Sequence, residues 1–398
     1  MTRIQQLVEK YAEKIYEYRH HVHMYPEVGL QEKETAKYIA EKLREMGLEP
    51  QENIGGYGVV AVIEGGKGPG KCIGLRADTD ALPVEEQTGL PFASKNPGVS
   101  HACGPDMHVA MLLGVAHILL EMKDEFAGSV KLVFQPAEEW VLSGGAIDMI
   151  RDGVLENPHV DAMIAQHIDP MTELGHVIMR SGPETSSTDR LFLTVHGQSC
   201  HGSRPNLGID GVVIAAQIVN AVQTVVSRNV APVEPLVITF GKISGGERYD
   251  ILAKEVKLEG TFRTHSNEWR KRVPEAVKKI ADGVCEALGG SCELTVGEGY
   301  PPLFNDHGMF ELVKEAAEKE IGREHIIVPR HPNVGGEDFA FFAQAVPSMY
   351  YSVGGRNPQQ PVEETKPLHN NGFNPMEEGM LVGTNVMVAG VLEFLNRS

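Results

Sequence analysis

The chain has 398 residues, with 36 Lys and Arg against 54 Asp and Glu, a formal charge of −18. With 42% hydrophobic and 23% charged residues it is too apolar for intrinsic disorder, and its acidity excludes the basic footprint of a nucleic-acid or anionic-membrane binder. The length predicts two or three domains at roughly 150 residues each. The five cysteines, Cys72, Cys103, Cys200, Cys285 and Cys292, are odd in number and lack framework spacing, which points to a reducing compartment.

Residues 3–23 read as an amphipathic helix with Ile4, Leu7, Val8, Tyr11, Ile15 and Tyr18 on one face. The N-terminus has no apolar signal core and the longest apolar runs fall short of a bilayer span, so a cytoplasmic protein is expected. A second helix covers 32–46, stopped by Gly47. Residues 58–63 and 72–75, separated by the turn-rich 65–70, read as paired strands. Then follow a helix over 107–122, a strand over 130–134, a helix over 145–151 and a strand over 160–165. This alternation predicts an α/β domain with a mostly parallel central sheet.

After about Gly182 the order changes to strand 191–195, helix 209–226, strands 236–243 and 255–263, helix 269–288 and strand 292–296. That is the β-α-β-β-α-β order of a ferredoxin-like α+β domain. Beyond Pro301 the α/β alternation returns. The predicted organisation is one catalytic domain built from 1–183 and 299–398, interrupted by an inserted lid domain over 184–298.

Potential ligands and acids collect at strand ends. Asp78 and Asp80 follow the strand at 72–75, Glu138 and Glu139 follow 130–134, and His167 follows 160–165. Cys103 precedes a helix, whose N-terminus favours an anion. Taken singly, a glutamate pair is a solvated face, a cysteine a small buried hydrophobe, and Asp-Thr-Asp a capped turn. Together at one sheet edge they favour a metal centre for hydrolysis, with a carboxylate as general base. No Gly-x-Ser-x-Gly, phosphate loop or dinucleotide fingerprint is present.

Several motifs run through almost the whole chain: Arg19-His20 with Pro26-Glu27, Arg76-Ala77-Asp78-Thr79-Asp80-Ala81-Leu82-Pro83, His101-Ala102-Cys103-Gly104, Phe134-Gln135-Pro136-Ala137-Glu138-Glu139 and Gly335-Gly336-Glu337-Asp338-Phe339-Ala340. With them the sequence resembles the dinuclear-metal amidohydrolases, which include bacterial aminoacylases, hippurate hydrolases and auxin–amino-acid conjugate hydrolases. The resemblance implies a catalytic domain with an inserted lid that forms a homodimer or dimer-based tetramer. It implies metal ligands at Cys103, Glu139, His167 and His369, holding one or two divalent ions (zinc, manganese, cobalt or nickel). Glu138 becomes the general base, with Asp80 counted among the catalytic residues. In the lid, His201 stabilises the oxyanion and contacts substrate, and Arg263 helps to hold a substrate carboxylate. The implied substrate is an N-acyl amino acid or a small peptide-like amide.

One departure stands out. The usual metal-ligand histidine after Cys103-Gly104 is Pro105, which has no donor for a cation. Trp140-Val141-Leu142-Ser143 replaces a stretch that is commonly glycine-rich, and Asp250-Ile251-Leu252-Ala253 replaces the usual Asn-Val-Ile-Pro. Two readings therefore stand at this stage: an active hydrolase with one well-held metal or a rebuilt pair, and a weak or inactive homologue that binds an amide.

Overall fold

The computed structural model describes residues 1–140 and 145–397, so Val141, Leu142 and Ser143 of the diverged stretch lie outside the described residues. The chain forms two compact units. One comprises Met1–Gly182, Phe304–His331 and Asp338–Ser398, and the other Pro183–Leu303 with Pro332–Glu337. The second unit thus runs a few residues past the expected 184–298 and takes in a short later segment.

The first unit opens with α1 (Arg3–Met24), α2 (Lys33–Glu45), β1 (Gln51–Ile54), β2 (Gly58–Glu64), β3 (Cys72–Asp78), α3 (Pro105–Glu121), β4 (Ser129–Gln135), α4 (Gly145–Arg151), β5 (Ala162–Glu173) and β6 (Val177–Ile178). Past the short β7 (Gly182–Thr185), the second unit contains β8 (Asp189–His196), α5 (Gly211–Thr224), β9 (Leu236–Gly245), β10 (Glu255–Thr264), α6 (Asn267–Leu288) and β11 (Ser291–Gly297). The chain returns through β12 (Leu303–Asn305) to α7 (His307–Ile321), β13 (Ile326–Ile327), α8 (Ala340–Ala345), β14 (Ser348–Arg356) and α9 (Gly379–Asn396).

Local chemistry explains where the helices begin. Thr2 and Gln5 form a reciprocal capping box on α1, Asp210 caps α5, Ser266 caps α6 and Asp306 caps α7. The buried stripe of α1, including Ile4, Leu7, Val8, Ile15 and Tyr18, packs against α3 and α9. That approach is close: a side chain at Gly114 of α3 would meet Ile15 Cδ1 at 2.6 Å. Helix α3 is buried nearly all round.

The large sheet has eight strands in the order β1-β2-β4-β3-β5-β14-β6-β13. The central run β4-β3-β5-β14 is parallel, while β1, β2 and β6 add antiparallel pairs. The second unit has a four-stranded antiparallel sheet in the order β11-β8-β10-β9, with α5 and α6 packed on it.

Three expectations need correction. The strands expected as a pair, β2 and β3, are not neighbours, because β4 lies between them. Every residue of β3 is buried, as befits an interior parallel strand, and the glycine-rich turn instead hydrogen-bonds the segment before β4, Gly65 N–H to the carbonyl of Gly128. His167 does not follow a strand but lies within β5, which continues to Glu173 through pairing with β14. Finally, the helical segments Gly211–Asn229 and Gly379–Asn396 are long and apolar enough to cross a membrane by length and composition. Packing accounts for their apolarity: α9 lies in the core against α1, α3 and α7, and α5 buries Ile214, Ala215, Ile218 and Val222 in its own unit.

Candidate metal centre and active site

The loop after β4, the middle of β5 and the loops before α3 and α9 bring four expected ligands together in the first unit. Donor atoms of Cys103, Glu139 and His369 all lie within 4.8 Å of one another. His167 joins through its Nε2, 3.5 Å from Cys103 Sγ. His369 Nε2 stands 3.5 Å from Glu139 Oε1, and that oxygen is buried without a hydrogen bond.

Each donor is aimed by the backbone around it. Cys103 precedes Gly104, whose φ of +113° and whose contact with Ile168 leave no room for a side chain; an added Cβ would lie 2.4 Å from Ile168 Cγ2. Pro105 then opens α3 as its first residue. The His369 N–H donates to the carbonyl of Ala102 at 2.7 Å, tying its loop to the residue before Cys103. His167 Nδ1 donates to the carbonyl of Ile168 at 2.7 Å, which makes Nε2 the unprotonated nitrogen of the neutral ring.

The loop carrying Glu138 and Glu139 is pinned by two buried carboxylates. Asp80 accepts the N–H groups of Glu138 and Glu139 at 2.9 and 3.0 Å. Glu32 Oε1 accepts the N–H of Ala137 at 2.7 Å, holding that residue at a left-handed φ of +58°. Burial, with Glu139 and Glu32 adding repulsion, pushes the Asp80 carboxyl well above its ordinary range. Burial likewise lifts Glu32 from 4.5 to about 7. The Cys103 thiol is raised well above its usual value by burial first and then by Glu139 and Glu138. The Glu139 carboxylate beside it raises the His369 pKa, with burial opposing.

This donor set fits a divalent cation. A thiol, a carboxylate with an orphaned oxygen and two imidazoles converge, and the protons on Cys103 and His369 are what a cation displaces. Asp80 touches the loop backbone and so acts by positioning Glu138 and Glu139.

A network behind the site escaped the sequence reading. Arg76, fully buried on β3, pairs with Asp338 Oδ1 at 2.9 Å and with Gln135 Oε1 at 2.8 Å. Asp338 also accepts the N–H of Ala146 at 3.1 Å. Asp78 meets His108 Nδ1 at 2.7 Å, and His108 Nε2 accepts the N–H of Ile168 at 3.0 Å. The signal was present as an arginine inside an apolar strand, a local conflict that only a buried partner resolves.

His201 and Arg263 belong to the second unit. His201 is exposed, and its Nδ1 accepts the backbone N–H of Ser203 at 3.1 Å, so the neutral ring carries its proton on Nε2. Arg263 is half-buried on β10; burial lowers its pKa and Asp189 partly offsets this.

Comparison with known proteins places this geometry in context. The family model described as peptidase family M20/M25/M40 matches residues 74–393. The chain is 39% identical over 336 residues to an N-acetyl-L-cysteine deacetylase of Bacillus subtilis, covering 84% of this chain and 79% of the relative. It is 36% identical to thermostable carboxypeptidase 1 of Saccharolobus solfataricus over 98% of both chains. A solved Bacillus subtilis structure, a dinuclear metal binding peptidase, superposes with a TM-score of 0.83 at 29% identity, covering 98% of this chain and 99% of its own.

Proposed function

The chain belongs to peptidase family M20/M25/M40 as a metal-dependent hydrolase of amides, and on that premise we propose that it cleaves N-acyl amino acids, or small peptide-like amides, to a carboxylic acid and a free amino acid. The observation that carries the reading is the cluster of Cys103, Glu139, His167 and His369 beside Glu138, on a loop held from below by Asp80 and Glu32. Relatives named for deacetylation and for carboxypeptidase action support it. A role limited to binding an amide is not favoured, since the donor cluster, Glu138 and His201 are all retained.

Cys103, Glu139, His167 and His369 would hold the ion, and the mixed sulfur, oxygen and nitrogen donors suit zinc, manganese, cobalt or nickel. When bound, a divalent cation supplies Lewis-acid polarisation of the carbonyl and lowers the pKa of a water. Glu138 takes the proton of the attacking water and returns it to the leaving amine. His201 donates its Nε2–H to the oxyanion that develops on the acyl oxygen. Asp80 and Glu32 keep Glu138 in place through the loop backbone, which spares the reaction the cost of orienting it. Arg263 takes the substrate carboxylate as a charge-assisted partner.

The same reading makes the second unit a lid and the contact of a homodimer or dimer-based tetramer. Its β9 is an edge strand with exposed Val237 and Ile243, and α5 exposes Val212 and Val213. The five free thiols fit residence in the cytoplasm.

The substitution Glu138→Gln tests the assignment of the base. The variant is expected to keep its metal content and lose about 10²–10⁴ in kcat. A Glu138→Gln enzyme that keeps most of the rate would remove Glu138 from the mechanism.

A further inference from the structure

We infer that this chain carries one metal ion per subunit, not two, and that Pro105 is the residue that limits it to one. The inference rests on the metal reading above and deepens it. Among the described residues, four of the expected donors gather here, Cys103, Glu139, His167 and His369. Four donors of this kind complete one tetrahedral shell. A second ion drawing on these four would have to share them, leaving two or three protein ligands for each. The structurally similar peptidase is described as dinuclear, so the difference must lie in what this chain supplies.

The segment between Cys103 and the body of α3 offers no replacement. Gly104 is confined to glycine by its positive φ and by Ile168. Pro105 occupies the first helical position with a ring that has no lone pair to give. Asp106 is turned to other work: its Oδ2 accepts from Arg19 Nε at 3.1 Å and meets His23 Nδ1 at 2.8 Å. Its other oxygen has no hydrogen bond, yet among the described residues Asp106 belongs to no group of three donor atoms within 4.8 Å.

His108 also lies close by, its ring centroid 4.5 Å from that of His167. Both its nitrogens are committed. Nε2 accepts the N–H of Ile168, so the ring proton sits on Nδ1 and is given to Asp78. Recruiting Nε2 to a cation would orphan a buried amide inside β5, directly beside His167. Asp106 and His108 are therefore engaged in structural pairs and do not make good the missing donor.

The test is cobalt titration of the chelator-stripped full-length protein, read by equilibrium dialysis with elemental analysis and by absorption. Wild type is expected to saturate at one cobalt per chain, with a thiolate-to-cobalt charge-transfer band that Cys103→Ala abolishes. Pro105→His is expected to saturate at two, and His108→Asn to remain at one. Two tightly bound ions in wild type would overturn the one-ion inference and leave the hydrolase reading standing. No bound ion would overturn the metal reading itself, and the inference with it. Pro105→His that stays at one ion would overturn the role given to Pro105, and loss of the ion from His108→Asn, with circular dichroism unchanged, would show His108 to be a ligand.

Discussion

Glu32 offers a way to separate stability from catalysis at the loop that carries Glu138. Its carboxyl is fully buried, and its Oε1 accepts the N–H of Ala137 at 2.7 Å. Burial raises its pKa from 4.5 to about 7, against the pull of the backbone N–H donors. The folded state therefore binds this proton more tightly than the unfolded chain does. Whatever stability the proton confers is fully present below pH 4.5 and is lost as pH rises through about 7. The displacement corresponds to a loss on the order of 3 kcal/mol. Glu32→Gln keeps the shape and an acceptor for Ala137 while removing the charge. At pH 8.5 it should be more stable than wild type by about 1–3 kcal/mol, and the fall in stability between pH 5 and 8 should flatten. Glu32→Ala instead orphans the Ala137 N–H at a left-handed backbone position, a loss of about 1–3 kcal/mol. With the loop no longer pinned, kcat should drop by about tenfold or more while metal content is kept. Urea unfolding at pH 5.5, 7 and 8.5, alongside kcat measurements, reads both effects. A Gln variant with the same pH slope as wild type would refute the claim that Glu32 is protonated near neutrality. An Ala variant with full kcat would refute the claim that the loop depends on it.

Further outcomes follow from other buried groups. Burial opposes the charge on His23, but Asp106 and Glu86 outweigh it and lift its pKa from 6.5 to about 9. Its stabilisation, on the order of 3 kcal/mol, should be complete below pH 6.5 and lost as pH rises through 9; thermal unfolding of His23→Gln should lack that decline. The same pair holds Asp106 low, so the two shifts report one interaction and do not add. Asp338→Ala removes one of the two buried carboxylates that face the Arg76 guanidinium, leaving Asp78, and should cost about 3–5 kcal/mol by urea midpoint, against a smaller loss for Asp338→Asn. His201→Ala should lower kcat by about 10²–10³ with KM and unfolding midpoint near wild type; a raised KM with kcat intact would make it a binding residue instead.

Much of this architecture could be read from residue patterns, and the exceptions share a physical cause. Helix α4 begins and ends at the expected residues, Gly145 and Arg151. Cys103, Glu139, His167 and His369 were named through the resemblance their motifs carry, and folding brings their donor atoms together. Pairing between strands was not legible, since β3 is buried on both faces and its neighbour is chosen by the whole sheet, not by the adjacent turn. Strand β5 runs past His167 because β14, distant in sequence, supplies its partner. The supports of the site were also hidden. Glu32 looks like an ordinary helix-start acid until its carboxylate is found beneath Ala137. Arg76, Asp338 and His108 acquire meaning only through partners brought together by folding.

Release of free amino acid from N-acetyl- and N-benzoyl-amino acids tests the account most directly, measured on the protein as purified, after chelation, and after return of zinc, manganese, cobalt or nickel. The account predicts turnover that chelation abolishes and at least one of these ions restores. Turnover indifferent to chelation, or none on any N-acyl amino acid or short peptide with metal bound, would contradict it.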